Sequence, residues 1–135
     1  MEFRQGLRSA GRVHWSSKVG KRLFLWEKRS TAQGTARGTI LFVHGSSEAS
    51  TPDFDLQAPG RPDSSAMDWF ASHGFDTWCV DMEGYGRSDK DRSHNSDIAT
   101  GAADCEAAAR YIRSIRGEAP LLVYGISMVM DFFLG

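Results

Sequence analysis

Cysteine is scarce in this 135-residue chain: there are two, Cys79 and Cys105. A pair at that spacing fits no metal motif and no disulfide scaffold. Each lies in an apolar pattern, so buried thiols are expected, with no metal and no cofactor. Long hydrophobic runs are missing. No stretch approaches the ~18 apolar residues of a membrane span. Residues 1–10 carry no apolar signal core, so no integral membrane segment and a cytoplasmic location are expected. There is no large net charge either, since 16 Lys/Arg and 17 Asp/Glu leave −1. What is present is ordinary: 41% hydrophobic, 24% charged and 11% aromatic residues. That composition excludes a disordered or collagen-like chain. The length allows one domain of about 100–200 residues, or part of one.

The charge is unevenly placed. From Met1 to Arg37 there are nine Lys/Arg and two Glu, a net of +7, and the rest of the chain carries −8. A basic end can meet nucleic acid or an anionic surface. No nucleic-acid motif accompanies it. A solvated hairpin and tail is the plainer reading, and nucleic acid is not expected as a partner. Residues 1–18 are expected to form a basic tail, and residues 19–135 the N-terminal part of a single domain.

The order of elements is informative. Val19 to Lys28 reads as one or two short strands. Thr39 to Val43 is a continuous β-branched and apolar run, as in a strand buried on both faces, and it stops at His44-Gly45. The stretch from Ser46 to Ser64, with Pro52, Pro59 and Pro62, reads as a long loop. Ser64 or Ser65 can cap a short helix carrying Met67, Trp69 and Phe70 and ending at Gly74. Phe75 to Val80 is another strand, followed by a Gly-rich loop from Asp81 to Asp89. Asn95 to Arg116 reads as a helix on the spacing of Ile98, Ala102, Cys105, Ala109, Ile112 and Ile115. Pro120 to Tyr124 reads as a third buried strand. Strands alternating with helix-length crossovers predict an α/β fold: a mostly parallel sheet with helices on both faces. Ligands bind such sheets at the C-terminal ends of the strands.

Three segments fall at those ends. Gly125-Ile126-Ser127-Met128-Val129 approximates G-x-S-x-G, which sets a serine on a tight strand-to-helix turn. Of the three G-x-S triplets in the chain, ending at Ser47, Ser88 and Ser127, only the last follows an apolar strand directly. Alone it reads sooner as a capping serine at a strand-to-helix turn. Gly45 permits a sharp turn after its strand, so the N–H of Ser46 can face the same space as the N–H of Met128. Two such donors suit a tetrahedral oxyanion. The His44 side chain reads as a loop-bonding group, not a general base. The third segment, Asp81 to Asp89, lacks the spacing of a phosphate loop. It reads as structural, with Asp81 and Asp89 accepting backbone N–H bonds.

These pieces, in this order, resemble the α/β-hydrolase fold from about Val19 to Met128. The resemblance rests on His44-Gly45, the D-x-x-G-x-G-x-S loop from Asp81 to Ser88, the long helix, and Gly125-Ile126-Ser127. The branch it looks most like holds serine aminopeptidases, lysophospholipases and monoacylglycerol lipases, where Met often follows the nucleophile as Met128 does here. The resemblance implies Ser127 as the acyl-forming nucleophile and the Ser46 and Met128 N–H groups as the oxyanion hole. It implies a small acyl ester or amide as substrate.

The chain also departs from that pattern. In this fold the triad acid and histidine follow the nucleophile. His14, His44, His73 and His94 all precede Ser127, and Asp131 is the only acid after it. Val129 stands where the motif has glycine, and the sequence ends at Gly135. The expectation is therefore a partial α/β-hydrolase fold, truncated just after the nucleophile elbow by a changed reading frame, and inactive alone. The competing expectation is a non-catalytic binding module that keeps the pocket. A half sheet also leaves an open edge, so self-association is expected.

Overall fold

The computed structural model describes residues 10–45, 49–61, 64–90, 98–117 and 120–126. It is built on one five-stranded sheet in the order β1-β2-β4-β3-β5. The strands are β1 (Gly11–Lys18), β2 (Lys21–Lys28), β3 (Gly38–Val43), β4 (Phe75–Val80) and β5 (Leu121–Gly125). β1 and β2 form an antiparallel hairpin, β2 runs antiparallel to β4, and β3 runs parallel to both β4 and β5. The helices are α1 (Ser50–Phe54), α2 (Ala66–Ser72) and α3 (Ile98–Arg116). The three parallel strands and the helical crossovers between them match the sequence expectation, and the sheet as a whole is mixed.

Side chains alternate across a strand, so each central strand feeds two layers. On one face Leu23, Leu25, Leu41, Val43, Trp78 and Val80 pack with Cys105, Ala108 and Ile112 of α3. On the other, Ile40, Phe42 and Cys79 pack with Phe54 of α1 and Met67 of α2. Helices therefore cover both faces. Cys79 and Cys105 are buried free thiols, as the apolar pattern implies. Burial, with Asp104 beside it, pushes the Cys105 thiol up to about 12.

α2 begins where its sequence signal places it. Ser65 caps it, its Oγ accepting the Asp68 N–H at 3.0 Å. Beside it lies a buried charge cluster. Lys28 Nζ donates to Asp55 and Asp68, each at 2.8 Å, and the Trp26 indole N–H donates to Asp55 at 2.8 Å. This ties α1 and α2 to β2.

Several expectations are corrected. Residues 11–18, expected in the basic tail, form β1. The strand is hard to read because its amphipathy is inverted. Val13 and Trp15 are exposed, while Ser16 is buried and His14 half-buried against polar partners. The expected loop from Ser46 to Ser64 contains α1 and a bridge between Ala58 and Arg61. α3 is described from Ile98, and its expected caps, Asn95 and Ser96, lie outside the described residues. Its buried stripe runs through Ala108 rather than Ala109, and Ile115 faces solvent. β5, expected buried, is largely exposed: Leu122 at 54%, Val123 at 42% and Tyr124 at 55%. It pairs only with β3 among the described residues.

Candidate active site

The site is framed by strand ends. In the sheet register, Val43 of β3 lies beside Val80 of β4 on one side and Gly125 of β5 on the other. All three strands stop together at one level. The Ile126 N–H then donates to the Val43 carbonyl at 3.3 Å, which holds the exit of β5 against the exit of β3. β4 lies on one side of β3 and β5 on the other, so the strand order reverses here. Open α/β sheets bind ligands at such a switch point.

The segment leaving β3 is tied down on both sides. His44 is fully buried. The Met82 backbone N–H donates to His44 Nε2 at 3.0 Å, so the ring proton sits on Nδ1, which donates to the Gly45 carbonyl at 2.7 Å. Both nitrogens are consumed in holding loops, as the sequence reading of His44 has it. Further on, Asp81 Oδ1 accepts the Ser50 backbone N–H at 2.8 Å and the Ser50 hydroxyl at 2.7 Å. Residues 46–48 are thus flanked by two anchors, both fastened to Asp81-Met82 at the exit of β4.

The loop after β4 is folded around Asp81. Its Oδ2 accepts the Arg87 N–H at 3.0 Å. The Ser88 hydroxyl donates to the Asp81 carbonyl and accepts the Phe24 N–H, the latter at 2.8 Å. Asp89 accepts the Arg22 N–H at 2.8 Å. Those backbone and side-chain bonds from Arg22 hold the Asp89 carboxyl below the usual range. Gly86 is required by contact. A Cβ there would sit 2.3 Å from Asp81 Oδ2, and its φ is +51°. The expected structural role of Asp81 and Asp89 is what the geometry displays.

Ser46, Ser127 and Met128 lie outside the described residues. The structure brings together the segments that lead to them: Gly45 follows β3 and Ile126 follows β5, on neighbouring strands. Sequence reasoning missed Ser50 as the partner of Asp81. No local pattern links residues 31 positions apart, and only the sheet order does.

Residues 34–128 match the family model for serine aminopeptidase S33. The chain belongs to this serine aminopeptidase S33 family. Solved structures agree on the fold. A CIB-like hydrolase from Thermoplasma acidophilum superposes with a TM-score of 0.57 at 20% identity, over 93% of this chain and 55% of that one. Est1E from Butyrivibrio proteoclasticus, solved with ferulic acid bound, gives 0.65 at 16% identity, over 88% and 46%. The esterase EaEST from Exiguobacterium antarcticum gives 0.65 at 20% identity, over 91% and 40%. No curated protein sequence matches the chain. The S33 chain described here spans about half the length, or less, of these structures, and so makes up part of the α/β-hydrolase fold. None of its described helices is long and apolar enough to cross a membrane.

Proposed function

We propose that this S33 chain is the N-terminal part of a serine hydrolase that cleaves carboxylic esters or amides through an acyl-enzyme. Ser127 is the nucleophile. The backbone N–H groups of Ser46 and Met128 stabilise the tetrahedral oxyanion. The observation that carries this reading is the pairing of Val43 with Gly125, closed by the Ile126 N–H to Val43 carbonyl bond. It sets the His44-Gly45 and Gly125-Ile126 exits side by side at the strand switch point, the place an oxyanion hole and a nucleophile share. A hydrolase family match and hydrolase structural neighbours support the same chemistry.

Serine is a weak nucleophile without a base. In this fold the acid and histidine follow the nucleophile, and residues 128–135 contain no histidine. In this reading the base is supplied by residues outside this sequence. His44 is not available for the task, because both of its ring nitrogens are engaged. The 135-residue chain by itself is therefore expected to give no turnover of p-nitrophenyl acetate.

The test is to translate all three frames of the DNA after the Ser127 codon and express the longest continuous product. A continuation with later strands, an acid and a histidine is expected. That product is expected to react with a fluorophosphonate probe and to lose the label on Ser127→Ala. Ligand binding without any labelling would move the assignment to a non-catalytic module.

A further inference from the structure

We propose that the β1–β2 hairpin docks this protein on an anionic phospholipid bilayer. The hairpin turns through Val19 and Gly20, both at positive φ, +43° and +79°. A two-residue turn of that kind favours Asn-Gly or Asp-Gly. Valine is a poor choice there, because a β-branched side chain resists positive φ. It is also 97% exposed, so no packing among the described residues compensates. A strained, fully exposed apolar residue at a projecting tip points to a contact outside the chain.

The rest of the hairpin fits the same surface. Val13 and Trp15 lie on one face of β1, 47% and 41% exposed. The Arg22 guanidinium sits 4.9 Å from the Trp15 ring centre. Tryptophan is favoured at the headgroup level of a bilayer. Of the five Lys/Arg in residues 11–28, Lys28 is buried on Asp55 and Asp68 and Lys18 is paired with Glu83 and Asp104, while the single acid, Glu27, is buried against Arg116 and His14. Arg12 and Arg22 are exposed. Asp89 meets the Arg22 side chain at 3.3 Å. Arg4 and Arg8 precede the hairpin in sequence, against Glu2.

The position matters for function. Leu25 of β2 pairs with Val80, the last residue of β4. The strand therefore continues four residues past that level to Lys21, about 13 Å at ~3.3 Å per residue. The tip projects from the edge of the sheet where the candidate active site lies. Docked there, the hairpin turns that edge toward the bilayer.

The test is flotation of the 135-residue chain with vesicles of phosphatidylcholine, with and without phosphatidylglycerol. Flotation separates bound protein from aggregates, which sediment. The chain is expected to float with the anionic vesicles, and the bound fraction is expected to fall steeply with added salt. Val19→Asn suits the turn better than valine, so it keeps the fold while removing the apolar tip. It is expected to weaken binding about fivefold, as is Trp15→Ser. Circular dichroism establishes that both variants remain folded. Flotation unchanged in both variants, no flotation at all, or equal flotation with neutral vesicles would overturn the proposal. So would a preference for nucleic acid over vesicles in competition. None of these readings depends on Ser127, so a failure of serine labelling leaves the result intact.

Discussion

Glu27 illustrates what one residue decides. It is 1% exposed, yet it accepts a bidentate pair from Arg116 at 2.7 Å each and a bond from His14 at 3.0 Å. Burial alone would raise its carboxyl, but the bonds from Arg116 and His14 outweigh burial and hold it below the usual range. A depressed carboxyl stabilises the fold above its unfolded value of about 4.3. That contribution is lost as pH falls through the lower folded value. Removing one partner strands a buried charge, so Arg116→Ala is expected to cost about 3 kcal/mol. Urea unfolding at neutral pH checks the cost. The same measurement near pH 3 is expected to show a smaller difference between variant and parent. Gly86 is a second case. Gly86→Ala drives a methyl group into the Asp81 carboxylate at a positive φ, and about 1–3 kcal/mol of lost stability is expected in thermal unfolding.

At the scale of elements, β5 and β1 differ from their sequence reading for opposite reasons. Leu121 to Tyr124 is apolar enough for a central strand, and the sequence pattern places it inside. Burial depends on neighbours, and β5 has one strand beside it among the described residues. Leu122, Val123 and Tyr124 therefore stand open, on an edge with no charge to guard it. Concentration-dependent self-association is expected by sedimentation velocity, and Val123→Lys is expected to reduce it. Unchanged association in that variant would place the contact elsewhere. β1, by contrast, carries its polar residues inward, where His14 meets Glu27 and Tyr111, and Lys18 meets Asp104 and Glu83. An alternation read by hydrophobicity alone cannot find such a strand.

At the scale of the molecule, the strand order joins distant segments into one edge. His44 binds Met82, 38 positions away, and Ser50 binds Asp81. These bonds join the exit of β3 to the exit of β4. The hairpin tip projects from the same edge. The segments that frame the candidate active site and the hairpin tip are therefore arranged on one end of the sheet, although they are far apart in sequence.

Much of this was legible in the sequence by itself. The β-branched run ending at His44-Gly45, the Ser65 cap and the long helix are local signals, and each falls within a few residues of its observed place. The loop of Asp81 to Ser88 and the Gly-x-Ser triplet gave the α/β-hydrolase resemblance, since short motifs carry their own turn geometry. Only the tertiary structure decided that β2 pairs with β4, that Arg116 closes on Glu27, and that β5 stays exposed. Those outcomes depend on which segments become neighbours across tens of residues. Periodicity and propensity act over a few residues, so they fix elements and caps, while partners and edges follow from the packing of the whole sheet.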